Sequence, residues 1–191
     1  MGGFHAVISL VIDTATNRTS VALFDGNQLL YNGFHDGATA HAEVLPKLVK
    51  EALGINNVID EVIVGMGPGP FTGLRVGITF AQTFAHARDI PWQGACSLDA
   101  IDVDSSSYIV TSDARRKEVY WAKYEDGVRV EGPSVSTPES LVYRNESKFG
   151  FAFTEALYPS MAMLIAKSRT APISEPLYLR RPDAVPTSER A

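Results

Sequence analysis

Residues 10–26 read LVIDTATNRTSVALFDG, and residues 108–127 read YIVTSDARRKEVYWAKYEDG. Each stretch contains an apolar strand that ends in aspartate, a polar turn, a second strand and then Asp-Gly, the pattern of a β-hairpin. Asp13 precedes Asp25 by twelve residues, and Asp113 precedes Asp126 by thirteen. Either two hairpins are alike by chance, or the chain contains an internal repeat. The repeat predicts an α/β fold of two related halves.

The composition of the 191 residues is that of a globular protein, with 45% hydrophobic and 20% charged residues. The net charge of −5 argues against a chain that holds nucleic acid unaided, because phosphate binding needs clustered lysine and arginine. No apolar run approaches the roughly 20 residues of a membrane-spanning helix. The only cysteine is Cys96, which excludes an internal disulfide. We therefore expect a cytoplasmic protein without membrane contact.

Two segments, residues 40–53 and 71–87, have the apolar periodicity of helices. Pro46 is expected to bend the first helix or confine it to its later residues, and Thr72 is expected to cap the second. Small residues recur every four positions along the second helix, and such a ridge marks close helix packing. The residues of this ridge are Gly73, Gly77, Ala81 and Ala85.

The turn before the second helix, GPGPFTGLRVG at residues 67–77, is glycine-rich like many phosphate-binding turns. It lacks the lysine of a P-loop, and Thr72 stands where the dinucleotide fingerprint requires glycine. Its prolines also remove backbone N–H donors. We interpret this stretch as a structural turn that sets the chain direction and begins a contact helix.

The turn after the first strand, Asp13-Thr14-Ala15-Thr16, has the residues of the first phosphate loop of actin-type ATPases. There the carboxylate would hold Mg²⁺ through water, and hydroxyl and N–H groups would meet phosphates. Asp113 would be the matching carboxylate of the second half. The alternative is that both aspartates end strands and accept turn N–H bonds. Because no glycine-rich second phosphate loop follows Asp113, weak or absent ATP binding is the favoured interpretation.

Other chemistry has less support from the sequence. The four histidines, His5, His35, His41 and His86, do not have the i, i+4 spacing of a helical metal site. No G-x-S-x-G nucleophile motif is present, and Cys96 stands in an apolar context typical of an inert thiol. The sequence therefore predicts neither a metal site nor a nucleophilic catalyst.

Several segments together resemble the TsaB (YeaZ) family of bacterial tRNA threonylcarbamoyladenosine biosynthesis proteins, once described as glycoprotease-like. These segments are VISLVIDTATNRTSVALF, HAEVLPKLVKEAL, GMGPGPFTGLRVGITFAQTFA, SDARRKEVYWAKY and EPLYLRR. The resemblance implies an α/β fold of the actin-like (ASKHA, ribonuclease H-like) type with two related halves. It places the first half at residues 1–100, and a shortened second half with a mobile polar tail at residues 101–191.

The resemblance also implies a non-catalytic scaffold role. Such a chain would pair with the catalytic subunit TsaD, be joined by the ATPase TsaE, reach tRNA only through the complex, and form a homodimer when alone. The complex installs threonylcarbamoyl on N6 of adenosine 37 in tRNAs that read ANN codons. No cofactor is required of this chain, although ATP and Mg²⁺ could be held in the assembled complex. An ATP hydrolase and a metallo-hydrolase are the alternatives.

The family's pairing surface uses the two helices that match residues 41–53 and 72–87. We therefore predict the partner contact on their apolar stripe and small-residue ridge. The predicted partner-binding residues are Val44, Leu45, Leu48, Val49, Ala52, Gly73, Leu74, Gly77, Ile78, Ala81 and Ala85.

Overall fold

Two β-sheets with related strand orders organise residues 6–180, the part of the chain that the computed structural model describes. The first sheet has the order β3-β2-β1-β4-β5 and the second has β8-β7-β6-β9. The first sheet and its helices are β1 (Ile8–Asp13), β2 (Arg18–Asp25), β3 (Gln28–Asp36), α1 (His41–Ile55), β4 (Glu61–Gly65), α2 (Phe71–Arg88) and β5 (Trp92–Ala95). The remaining elements are β6 (Ser107–Asp113), β7 (Val119–Glu125), β8 (Val128–Ser136), α3 (Pro138–Val142), β9 (Ser147–Gly150) and α4 (Met161–Thr170).

The repeat predicted from the two hairpins is confirmed by the topology. β1 pairs antiparallel with β2 and parallel with β4, and β6 pairs antiparallel with β7 and parallel with β9. β9 is therefore the counterpart of β4. Within the described residues, the second sheet has no counterpart of α2 or β5, so the prediction of a shortened second half is also confirmed.

The first sheet is covered on both faces because its central strands alternate apolar side chains in two directions. Leu10 and Ile12 of β1 face α1 and α2, whereas Val11 faces α4. Burying one such side chain contributes about 1.5–3 kcal/mol. The two clusters therefore supply most of the apolar burial around the central strands, and α4 contributes Met161 and Leu164 to the second of them.

The predicted boundary at residue 100 falls at the end of a 3₁₀ turn, Leu98–Ala100, between the two sheets. Farther along the chain, residues beyond this boundary pack on the first sheet again. Leu164 of α4 packs on the first sheet, in one cluster with Val11 and Ile63. The chain thus leaves the second sheet after β9 and returns to the first.

Residues 173–180 form a C-terminal strap that runs back across both halves. Ile173 N donates to Gly94 O at 2.9 Å, and Leu177 N donates to Met66 O at 2.8 Å. Farther on, Arg180 donates to the carbonyl of Ala114 in the second half. The C-terminal segment is therefore held through residue 180, and its polar end, which is predicted to be mobile, lies at residues 181–191, outside the described residues.

Two local predictions about helix ends are settled by the structure. α1 is not confined to the residues after Pro46: it begins at His41, because the missing N–H costs one hydrogen bond near the start and the ring is exposed. Pro70, not Thr72, occupies the cap position of α2, and no side chain caps that end. At the start of α4, Ser160 Oγ accepts from Met163 N at 3.4 Å and so caps that helix.

Candidate functional site

Asp13 ends β1 inside the protein rather than in an open cleft. The side chain is 1% exposed, and its carboxylate accepts from Ser97 Oγ at 2.6 Å and from Ala15 N at 3.0 Å. Burial raises the pKa of Asp13 to about 6, although both hydrogen bonds oppose the shift. The neighbouring Thr14 is fully buried and donates to Gly73 O at 2.8 Å. The side chains of Asp13 and Thr14 are thus both hydrogen-bonded within the protein itself.

A small cavity of 130 Å³ lies between the two halves, at the position where the sequence predicted nucleotide. Thr16, Asn17, Ser112 and Asp113 line it, but Asp13 and Thr14 do not. The carboxylate of Asp113 also interacts with Arg115. It accepts a hydrogen bond from the backbone N of Arg115 at 2.7 Å and forms an ion pair with the Arg115 guanidinium at 3.1 Å. Ligand pockets usually measure about 300–1,000 Å³. The structure therefore brings Thr16 and Asp113 together at this cavity and places the side chains of Asp13 and Thr14 in the interior.

His41, the first residue of α1, connects this region to the second half. It is buried, and its Nδ1 lies 2.8 Å from Thr19 Oγ1. Burial lowers the pKa of His41, and the positive charge of Arg115 lowers it further. The guanidinium of Arg115 thus acts across the gap between the β6–β7 turn and α1.

The predicted partner-binding residues lie mostly in the chain's own core. Four of the α1 residues and all six α2 residues are buried, and Val44 alone is half-buried. The buried ones are Leu45, Leu48, Val49, Ala52, Gly73, Leu74, Gly77, Ile78, Ala81 and Ala85. A partner cannot reach these side chains without opening the core, so their assignment to a partner contact stays a prediction.

The glycines of the ridge serve a contact within the chain. A Cβ at Gly77 would overlap Thr14 Oγ1, and a Cβ at Gly73 would lie 2.8 Å from Thr14 O. Both glycines therefore let α2 lie directly on the β1–β2 turn. The sequence signal for close packing was correct, and the surface packed against the ridge is the protein's own turn.

The opposite side of α2 carries a second apolar stripe that the sequence analysis missed. We call it the outer face of α2, and its residues are Val76, Thr79, Phe80, Thr83, Phe84 and Ala87. They line a shallow groove of 480 Å³, in which the rings of Phe80 and Phe84 stack with centroids 6.0 Å apart. Apolar residues at 76, 80, 84 and 87 follow a helical period and could have revealed this face.

The described part of the chain contains no cluster of three His, Cys, Asp or Glu side chains that could hold a metal ion. Cys96 is buried, and burial raises the pKa of its thiol to about 12, so the reactive thiolate is disfavoured. Among residues 6–180, no helix combines the length and apolar character needed to cross a membrane.

The duplicated strand order defines an α/β protein of the actin-like, ribonuclease H-like class. A model of the family described as TsaD: tRNA N6-adenosine threonylcarbamoyltransferase matches residues 35–167. A crystal structure of an uncharacterized Pseudomonas aeruginosa protein with similarity to peptidase YEAZ superposes with a TM-score of 0.73. That match covers 91% of this chain and 100% of the other, at 24% identity, and YeaZ from the same organism gives a TM-score of 0.69. These structures establish the fold.

Sequence relatives lead to the same family. An uncharacterized Mycobacterium tuberculosis protein is 40% identical over 93% of each chain, and one from Mycobacterium leprae is 42% identical over 94% of this chain and 56% of its own length. The tRNA threonylcarbamoyladenosine biosynthesis protein TsaB of Escherichia coli is 33% identical over 61% of this chain and 54% of its own. The chain thus spans about half the length of several relatives. It belongs to the glycoprotease-like family as a homologue of TsaB (YeaZ).

Proposed function

We propose that this chain is a non-catalytic subunit in tRNA threonylcarbamoyladenosine biosynthesis that binds and activates a catalytic subunit of the TsaD type. The observation that carries the proposal is the outer face of α2, where two stacked, half-buried phenylalanines pack against the edge of the core and line an open apolar groove. The names of the TsaB relatives supply the pathway. The interior position of Asp13 supports a role without catalysis by this chain.

The outer face has the chemistry of a protein contact. Phe80 and Phe84 are half-buried and lie among small or hydroxyl side chains, so a second helix can approach closely. Arg75 near the start of α2 and Arg88 at its end are exposed and provide a charged rim. Apolar centres with polar rims are typical of specific interfaces.

The occupant we propose is the corresponding helix of a TsaD-type subunit. α2 lies within the residues that the TsaD family model matches, so we expect a protein of that family to have a helix at the corresponding position. Two related helices can then pair face to face. Pairing of two copies of this chain would use the same face when the catalytic subunit is absent.

The proposal also includes the other components of the complex and its cellular setting. A TsaE-type ATPase joins the assembly, tRNA is bound by the complex, and ATP with Mg²⁺ binds only in the assembled complex. The absence of an internal disulfide agrees with a cytoplasmic setting.

The test replaces Phe80 on the outer face and uses Tyr143 as a matched control, because Tyr143 is 90% exposed and lies outside α2. Phe80→Glu should weaken binding to the cognate catalytic subunit about 100-fold or more, since a charge would be buried in an apolar contact. Tyr143→Glu should change binding less than about threefold. Isothermal titration gives the affinities, and light scattering after size exclusion gives the stoichiometry.

Equal affinity of the wild-type chain and Phe80→Glu would refute the outer face as the contact. ATP turnover by the isolated chain would instead support the hydrolase alternative. Charged substitutions at Leu48 or Gly77 are unsuitable here, because they would disrupt the core as well as any interface.

A further inference from the structure

A cavity of 350 Å³ lies beside the start of α4, on the face of the first sheet opposite α1. α1 packs on β2 and β3 from one side, whereas α4 packs mainly on β1, β4 and β5 from the other, so the outer part of the sheet is left uncovered there. The volume falls in the range of ligand pockets, about 300–1,000 Å³. We call it the α4 cavity, and its lining includes Arg18, Ser20, Phe24, Leu29, Met161 and Ala162.

Ser20 presents a buried hydroxyl group to the α4 cavity. The residue is 8% exposed, and it lies on the same side of β2 as Ala22 and Phe24, which pack in one cluster with α4. No hydrogen bond joins Ser20 Oγ to another group within residues 6–180. Because nearly all buried polar groups in native proteins have a partner, a buried hydroxyl that lines a cavity without one points to a ligand.

Other groups add hydrogen-bond donors to the α4 cavity. The backbone N–H groups of Met161 and Ala162 belong to the first turn of α4, where no helical carbonyl accepts from them. Asp36 accepts from Nε and Nη2 of Arg18 at 2.7 and 2.9 Å, which leaves Nη1 as a donor. Among the described residues, no acidic side chain lines the cavity. These donors and the positive end of the helix dipole together favour a carboxylate.

Two aromatic rings hold the guanidinium of Arg18 in one position. Its central carbon lies 4.1 Å from the ring centroid of Phe34 and 3.7 Å from that of Tyr158. Phe34 belongs to β3 and Tyr158 to the segment that leads into α4, so this sandwich connects the floor of the α4 cavity to its wall. A donor that is already fixed loses less conformational entropy on binding, and this preorganisation favours affinity.

The opposite end of the α4 cavity is apolar. Phe24 and Met161 are buried in the cluster around α4, and Leu29 is half exposed. Arg18, Ser20 and Phe24 are separated by even numbers of residues and therefore follow one another along a single face of β2. The floor of the cavity thus changes from cationic to hydroxyl to aromatic along one strand.

We propose that the α4 cavity binds a small aromatic carboxylate. The ring packs against Phe24 and Leu29, and the carboxylate accepts hydrogen bonds from Ser20, Arg18 and the first turn of α4. An aromatic side chain of a partner protein would fill the apolar end but would leave these donors without an acceptor, so the free carboxylate is the better fit. The site is separate from the outer face of α2 and does not depend on the function proposed above.

The test titrates 3-phenylpropanoate into the full chain and follows backbone amide signals by NMR. A ligand of this size should bind with a Kd of about 0.1–10 mM and shift the signals of Met161 and Ala162. The matched probe is 3-phenylpropylamine, which has the same ring on a similar chain but a positive charge. It should bind at least about tenfold more weakly, because the cavity offers donors and a cation to its charged end.

Three variants locate the site. Ala162→Trp places a ring at the α4 cavity and should weaken binding of 3-phenylpropanoate at least about tenfold. Ala166→Trp is the matched control one turn farther along α4, where alanine is also exposed but does not line the cavity, and it should stay within about twofold of wild type. Ser20→Ala should weaken binding about fivefold without lowering Tm, because a hydroxyl without a partner does not stabilise the fold.

The absence of saturable shifts at Met161 and Ala162 up to about 20 mM 3-phenylpropanoate would overturn the inference. Equal affinity of the wild-type chain and Ala162→Trp would also overturn it, as would equal affinity for the carboxylate and the amine. If Ala162→Trp lost binding to the catalytic subunit while 3-phenylpropanoate did not bind the wild-type chain, the cavity would be a protein contact instead.

Discussion

The β1–β2 turn and the β6–β7 turn occupy the same place in two related sheets, yet one is closed and the other is open. In the first, Asp13 and Thr14 are buried and bonded to Ser97 and Gly73. In the second, the residues after Asp113 are exposed, cationic and strained. Related strand topology therefore does not determine whether the turn is available to a ligand.

The helix content of the two halves explains this difference. α2 lies on the first turn because Gly73 and Gly77 allow close approach. No equivalent helix follows β9 in the described part of the second half, so the second turn is held by the strap instead of being covered. The shortening of the second half has left one of two equivalent turns accessible.

The largest expected effect tests the closed turn. Gly77→Ala would place a Cβ against Thr14 Oγ1 and should lower the free energy of unfolding by about 2–4 kcal/mol, even after the gain in helix propensity. Gly54→Ala is the matched control on α1, where no atom lies within 4 Å of the new Cβ, and it should raise stability by about 0.5–1 kcal/mol. Urea unfolding measures the stability of both variants. Equal changes in the free energy of unfolding would show that α2 does not pack tightly against Thr14.

An intermediate effect concerns the buried carboxylate of the same turn. The folded pKa of Asp13, about 6, lies above the ordinary value of 3.8, so the ionised group destabilises the fold. Wild-type stability should fall as pH rises from about 4 to 6 and stay lowered above that, by up to about 3 kcal/mol. The stability of Asp13→Asn should not fall over this pH range.

Urea unfolding between pH 4 and 7.5 would follow the stability difference between the wild-type chain and Asp13→Asn. The variant should be the more stable at pH 7.5, and the difference should close toward pH 4. A difference that stays constant with pH would mean that Asp13 keeps an ordinary pKa and that the turn is more open than described.

The smallest expected effect tests the open turn. Lys117→Gly removes the cost of a left-handed conformation with a Cβ and should stabilise the fold by about 1 kcal/mol, or roughly 2–4 °C in Tm. Lys148→Gly is the comparison. Lys148 lies in β9 without a positive φ, so glycine at this position should destabilise the fold. Scanning calorimetry measures both, and a loss of stability at Lys117 would show that the turn is not strained.

Local patterns in the sequence predicted most of the fold. The two hairpins and both long helices follow from residue periodicity and from Asp-Gly turns, which act over short distances. The repeat followed from the same patterns. The return of α4 to the first sheet could not be predicted, because its apolar residues fit either sheet and only long-range packing selects one.

The candidate site was harder to predict for two physical reasons. A ridge of glycine and alanine permits close approach but does not specify the neighbour, and here that neighbour is Thr14. A strand that ends in aspartate looks the same whether the carboxylate meets a metal or a buried hydroxyl such as Ser97. The outer face, by contrast, could have been predicted from the helical spacing of Val76, Phe80 and Phe84.

The order in which the chain emerges during synthesis gives the position of α4 a further importance. Val11 and Ile63 face α4, and that helix ends only at Thr170. A nascent chain that has completed the first five strands therefore still exposes one apolar side of its first sheet. The N-terminal half consequently cannot mature first, as independent domains often do during translation. Its final folding awaits the synthesis of α4, and that interval is when chaperones would bind it.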